Sequence, residues 1–275
     1  MVRSTFTKYV CFLMVSAALV FTSSGCSTLR EAQTPSEADI NVESAKAYQE
    51  VKSKAQLSTR KDWNEMVQRV AKRIAAASGE NFEWEIILID NPEPNAWCMP
   101  GGKMAVYTGI MPILKTEGAL AAVMGHEVAH ATRRHGQKAY ARAIEEQQTA
   151  VLLGVAAGVA GQVLCKTENC RLIAGLGGPA AALALSFFNR KFSREDESDA
   201  DQVGQIYMAK AGYDPAESIV LWERMNAGKN AEPPEWMSTH PSDTNRRAKL
   251  SQWLPQAQQV YQGVSQKYGR GSTIQ

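Results

Sequence analysis

The pattern His126-Glu127-Val128-Ala129-His130 constrains this chain more than any other feature. Two histidines four positions apart on a helix lie one turn apart, roughly 6 Å along the axis and about 40° around it. Both imidazoles then meet one point in space. The residues around them, Ala119, Leu120, Val123, Val128 and Ala129, are apolar. The helix that carries the pair therefore belongs in a core, where two polar rings need either a metal ion or hydrogen-bond partners.

Glu127 favours the metal. It sits beside the first histidine and reaches a water on a shared metal without taking a ligand position. Zinc lowers the pKa of such a water from about 15.7 to near 7. Two histidines, an adjacent glutamate and an open metal position make the arrangement used for zinc-assisted peptide hydrolysis. A third protein ligand is required. Downstream runs Ser193-Arg194-Glu195-Asp196-Glu197-Ser198-Asp199-Ala200-Asp201. Glu197 and Asp201 are again four apart and share a helical face, so one can ligate while the other accepts the ring N–H of a ligating histidine. Spacing alone does not separate Glu195, Glu197 and Asp201 as the ligand, and an acidic helix start is also favoured by the macrodipole. His135, five residues beyond His130, is predicted to lie off the ligand face.

The rest of the chain reads as helices around one small sheet. Trp63, Met66, Val67, Val70 and Ile74 form a helical stripe ending before Gly79. Alternation over Phe82 to Asp90 predicts a strand. The turn Pro100-Gly101-Gly102 introduces a second, from Lys103 to Thr108. A helix is expected from about Thr116 into the Glu145 region. Further helices are expected over about Ser198 to Ala211, Pro215 to Asn226 and Asp243 to Trp253. The predicted class is mainly α with a small β-sheet, α+β.

Two apolar features bear on location. Arg3 and Lys8 precede the 13-residue uncharged run Tyr9 to Phe21, too short for a span of about 20 residues but suited to an export signal. Ser23-Ser24-Gly25-Cys26 then resembles a bacterial lipobox, which makes Cys26 a lipidation site, residues 1–25 a signal peptide and 26–45 a tether. Residues 149–188 hold two uncharged arms, of 16 and 17 residues, around Cys165 and Cys170. Both arms fall short of a span and predict a buried or surface-associated helical hairpin. In an oxidising compartment Cys165 and Cys170 are expected to form a disulfide closing that short loop, leaving Cys98 as a buried thiol. With 30 basic and 28 acidic residues the net charge of +2 gives no reason to expect a nucleic-acid partner.

Four segments carry a more specific likeness: Asn95-Ala96-Trp97 through Pro100-Gly101-Gly102; the His126 to His130 pattern; Ser193-Arg194-x-x-Glu197-x-x-Ala200-Asp201; and Ser238-Thr239-His240-Pro241 with Arg246. In this order the chain resembles the zinc metallopeptidases related to the CAAX prenyl protease and to HtpX, in their periplasmic LoiP/BepA-like lipoprotein branch. The resemblance implies a gluzincin-type domain over about 46–255, followed by a tail over 256–275. It implies one zinc ion on His126, His130 and Glu197, with Asp201 behind a ligand histidine and Glu127 as the base.

Further expectations rest on the same resemblance. His240 and Arg246 are placed near the cleft as stabilisers of the oxyanion, with His240 as a resting-state zinc ligand kept open as the rival. Gly102, Lys103, Met104, Ala105 and Val106 are expected to form an edge strand that pairs with extended substrate. The function implied is hydrolysis of unfolded or misfolded envelope proteins, by an enzyme lipid-anchored to the periplasmic face of an outer membrane. The alternative is a chaperone-like assembly factor with little proteolysis.

Overall fold

The computed structural model describes residues 36–139, 141–142, 192–227, 236, 240 and 245–275. The predicted signal peptide, Cys26, the 149–188 hairpin and the Cys165–Cys170 pair lie outside these residues.

The first element is α1 (Glu37–Lys54), where a polar tether was expected as far as residue 45. Its stripe of Ile40, Ser44, Ala47, Tyr48 and Val51 is buried, and helical spacing explains why a segment this polar is ordered. Helix α2 (Lys61–Ser78) follows the predicted stripe and ends at Gly79, whose φ of 75° is the left-handed cap that glycine adopts readily. Strands β1 (Glu85–Ile89), β2 (Ala96–Met99) and β3 (Lys103–Tyr107) come next. A 3-10 turn (Thr108–Ile110), short α3 (Met111–Leu114) and α4 (Glu117–Thr132) follow. The described chain then continues with α5 (Arg194–Lys210), α6 (Glu217–Ala227) and α7 (Arg246–Gly263). The fold is thus mostly helical with one three-stranded sheet. The chain divides into units of residues 1–39 and 40–275, and all elements but the first turn of α1 belong to the second.

The sheet order is β1-β3-β2, with β1 parallel and β2 antiparallel to β3. This corrects the expectation for residues 102–106. Lys103, Met104, Ala105 and Val106 lie on the central strand, hydrogen-bonded on both sides, with Gly102 in the turn before it, so they offer no free edge to a substrate. The edge nearest α4 is β2. Tyr107 N–H donates to Asn95 O (3.0 Å), and antiparallel alternation then turns the backbone groups of Trp97 and Met99 toward β3 and those of Ala96 and Cys98 outward. Strand alternation also divides the core. Ile86, Leu88, Ala96, Cys98, Met104 and Val106 pack with α2 and α4, whereas Ile87, Ile89, Trp97, Met99, Ala105 and Tyr107 pack with α1.

Helix α4 is buried along its whole length. Thr116 caps it, accepting from Ala119 N–H at 3.1 Å. It ends at Thr132 rather than running into the Glu145 region, because Arg134 adopts a left-handed conformation (φ 58°) that an α-helix does not accommodate. The most extensive helix pairing among the described residues is α4 against α5. The two backbones cross at Gly125 and Gly204: a Cβ on Gly125 would lie 2.6 Å from Gly204 O, and one on Gly204 2.7 Å from His126 N. The stretch expected as a tail is also integral. Ile274 is buried, Thr273 pairs with Thr116, and Glu117 N–H donates to Ser272 O at 2.8 Å. It holds the start of the helix that carries the histidines.

Candidate metal centre

Helical spacing aims His126 and His130 at the same point, and their Nε2 atoms lie 3.0 Å apart. Helix α5 supplies the facing carboxylate. Its N-terminus is fixed by a capping box in which Ser193 accepts from Asp196 N–H while the Asp196 carboxylate accepts from Ser193 N–H. Glu197, on the next residue, sets Oε2 3.4 Å from His126 Nε2 and Oε1 3.4 Å from His130 Nε2. His240 closes the group, with Nδ1 3.2 Å from His126 Nε2 and 3.0 Å from Glu197 Oε1. One donor atom from each of these four buried residues falls within 4.8 Å of all the others. Tetrahedral ligands on bonds of about 2.0–2.1 Å sit about 3.3–3.4 Å apart. Imidazole nitrogens with a carboxylate, at this spacing, suit a borderline-soft divalent cation.

The surroundings orient these donors. His126 Nδ1 lies 2.9 Å from Asp201 Oδ1, so its ring is held from behind by a carboxylate. Arg246 lies between carboxylates: Nη2 is 2.5 Å from Asp201 Oδ1 and Nη1 is 3.3 Å from Glu197 Oε2. Its guanidinium stacks 3.8 Å from the Trp222 ring centre. Both terminal nitrogens of Arg246, for which an oxyanion role was expected, thus face the carboxylates of Glu197 and Asp201. Glu127 lies beside the group, its Oε1 3.6 Å from His240 Nε2.

Charge follows from this packing. Burial and Arg246 push His126 down, but its bonds to Asp201 and Glu197 outweigh them and raise it to about 9. Burial dominates at His130 and holds it well below the usual histidine range. Burial alone would raise Glu197, yet His240, His126 and His130 hold it well below the usual carboxylate range. Burial, then the Glu127 carboxylate, push the Cys98 thiol well up, so it is a protonated and inert sulfur beside the site.

One residue escaped the sequence reading. Trp236 donates its indole N–H to Glu127 Oε1 at 2.6 Å, and His240 N–H donates to Trp236 O at 3.1 Å. The signal was available, since Trp236 and His240 repeat the four-residue spacing of the histidine pair. His135 lies outside the donor group, as expected, and the break at Arg134 brings it against the other ring nitrogen of His130, with Nδ1 to Nδ1 at 3.0 Å. Ser238, Thr239 and Pro241 of the fourth motif lie outside the described residues.

The model of Peptidase family M48 matches residues 58–254. This chain belongs to that family. Over 198 residues it is 38% identical to the mitochondrial metalloendopeptidase OMA1 of Schizosaccharomyces pombe, covering 70% of this chain and 53% of that protein. The OMA1 of Saccharomyces cerevisiae is 32% identical over 192 residues, 66% of this chain and 50% of that protein. The beta-barrel assembly-enhancing protease of Escherichia coli is 28% identical over 177 residues, 64% of this chain and 35% of that protein. The chain thus spans about half the length, or less, of these relatives. The matching family is one of peptidases, and both OMA1 relatives are named as metalloendopeptidases. They also correct the expected placement on the periplasmic face of a bacterial outer membrane: relatives named as mitochondrial match with higher identity, and over more of the chain, than the bacterial one. Among the described residues no helix is long and apolar enough to cross a membrane.

Proposed function

We propose that this M48 chain is an endopeptidase that cuts extended segments of unfolded or misfolded polypeptides, using one zinc ion held by His126, His130 and Glu197. The observation that carries the proposal is the convergence of those donors with Glu127 alongside, all buried. Bound zinc supplies Lewis-acid chemistry, polarising a peptide carbonyl and making water nucleophilic near neutral pH. Glu127 takes the proton from the attacking water and delivers it to the leaving amine nitrogen. Asp201 and Arg246 keep His126 and Glu197 in place.

Substrate alignment falls to β2. Its outer edge carries the backbone groups of Ala96 and Cys98, which are 2% and 1% exposed, and Asn95 Oδ1 already accepts the Ala96 N–H at 2.8 Å, so substrate pairs there only as this cover gives way. An extended segment adds there as a further strand, reading backbone rather than side chains. That suits unfolded substrates of varied sequence. The rival role, an assembly factor with little proteolysis, is disfavoured by the presence of every donor and of the base. Comparing casein digestion by the protein and by Glu127→Gln tests the choice: loss of hydrolysis with zinc retained is expected, and equal activity would end the peptidase reading.

A second reading is favoured for His240. Its Nδ1 stands among the donors, where an open position is needed for water. We propose that His240 is the fourth donor of a resting state, giving way to substrate. His240→Ala, with zinc occupancy checked, should turn over peptide faster. Slower turnover would return His240 to the oxyanion role.

A further inference from the structure

We propose that His135 is a positioning residue of the metal centre, fixing the orientation of His130 through a relay that ends on Asp199. The inference rests on the zinc-site reading above and assigns a task to a histidine which that reading leaves idle.

His130 directs Nε2 toward the donor group, and with zinc on that nitrogen its proton belongs on Nδ1. That Nδ1–H points at Nδ1 of His135, 3.0 Å away, which must accept and is therefore bare. The proton of His135 then resides on Nε2, 3.1 Å from Asp199 Oδ2. Asp196 Oδ1 lies further off, at 3.6 Å. Each step has one donor and one acceptor, so the relay runs in a single sense, His130 to His135 to Asp199.

The two ligand histidines are thus held differently. His126 meets the carboxylate of Asp201 directly, and Arg246 balances that charge. His130 meets a neutral imidazole, with the carboxylate one ring further out, balanced by Arg133 Nε at 2.6 Å. His135 is 1% exposed, whereas the Asp199 and Arg133 side chains are 30% and 50% exposed, so the relay leads from the buried centre to the surface. The left-handed turn at Arg134 makes this possible, since a continuous helix would carry residue 135 away from residue 130. Phe192 stacks 4.0 Å from the His130 ring, leaving that ring little freedom except the tilt that His135 sets.

The test is zinc affinity of the full chain by competition with a chromogenic chelator, together with kcat and KM on casein-derived peptide. A histidine partner behind a ligand typically contributes 10–100-fold in affinity or activity, so His135→Ala should weaken zinc binding by about that factor and lower kcat with KM unchanged. His135→Gln spaces an acceptor and a donor much as the imidazole does and should recover affinity to within about threefold. Asp199→Asn, at the exposed end, should show a smaller loss in the same direction. His135→Ala binding zinc as tightly as the unaltered protein would overturn the proposal. Equal losses in His135→Ala and His135→Gln would also overturn it, marking a packing role. Should His135→Ala fail to fold, His135→Gln and Asp199→Asn decide, and an affinity unchanged in Asp199→Asn ends the relay. Failure of the unaltered protein to bind zinc would overturn the zinc-site reading and this proposal together.

Discussion

The indole of Trp236 and the carboxylate of Glu127 form the shortest polar contact the proposed base makes, 2.6 Å from Nε1 to Oε1. Trp236 is 1% exposed and stacks on Trp222 at 5.4 Å, so the donor cannot swing aside without opening the core. A hydrogen bond to a charged acceptor contributes about 1.5–3 kcal/mol. Trp236→Phe keeps most of the apolar volume and deletes the donor. It should lower kcat by about tenfold or more through misorientation of Glu127. Zinc affinity should fall much less than kcat, because Phe keeps an aromatic ring against His126, which Trp236 meets edge-on at 5.5 Å. Steady-state kinetics beside a zinc titration would check this, and a fall in affinity equal to the fall in kcat would count against it.

The crossing of α4 and α5 at Gly125 and Gly204 sets the distance between histidines and Glu197. A methyl group on Gly204 would lie 2.7 Å from backbone atoms of both Gly125 and His126, and neither can move as a side-chain tip would. Gly204→Ala should therefore separate the helices. We expect a loss of about 1–3 kcal/mol in folding stability from overpacking, and a weaker zinc site besides. Thermal unfolding with and without zinc would show it. A smaller zinc-induced rise in Tm than in the unaltered protein is the telling result, and an equal rise would refute the link.

The site was legible where its spacing is local. His126, Glu127 and His130 lie on one helical turn, and Glu197 with Asp201 on another, so periodicity showed which residues share a face, while the choice of Glu197 over Glu195 and Asp201 came from the family resemblance. What failed was non-local. The order β1-β3-β2 makes the Lys103–Tyr107 strand central, and no local pattern reveals that a later strand inserts between two earlier ones. The predicted strand at Phe82 to Asp90 showed an apolar stripe, but Ile87 and Ile89 are buried too, against Ala47, Tyr48 and Val51 of α1, a helix whose start falls within the expected tether. His135 stays out of the donor group as expected, but its contact with His130 was hidden because nothing in the type of Arg134 announces a left-handed turn.

Glu117, at the first turn of α4, anchors the histidine helix to distant chain. It accepts from Arg69 Nε at 3.0 Å, from Tyr213 OH at 2.7 Å and from Ser272 N–H at 3.2 Å. Burial alone would raise its pKa, but Arg69, Tyr213 and Ser272 outweigh burial and hold it at about 2. A carboxyl depressed in the folded state contributes stability that is fully present above its ordinary value near 4.5 and fades as pH falls toward 2. Allowing for the partly exposed Arg69, the loss should be about 2 kcal/mol across that window. Glu117→Gln should be less stable at pH 7 and should flatten the decline below pH 4.5. Urea unfolding of the metal-free proteins at several pH values would test this. Parallel curves for the two would show that Glu117 is not the group titrating.

Metal uptake should release a proton from a known place. With no ion bound, His126 holds its proton up to about pH 9, because Asp201 and Glu197 stabilise the cation more than burial and Arg246 oppose it. His130, pushed well down by burial, is already neutral and contributes no proton at pH 7. Zinc needs the bare imidazole, so it must displace the His126 proton. Between about pH 6 and 9 the apparent affinity should therefore fall by about tenfold for each unit of acidification. Calorimetric titration in buffers of different ionisation enthalpy should count about one proton released per zinc at pH 7.5. Asp201→Asn removes the largest support for the cation, so its uptake should be less steep in pH, even though the ring is less well held. A count of zero protons in the unaltered protein would mean that His126 is neutral before the metal arrives.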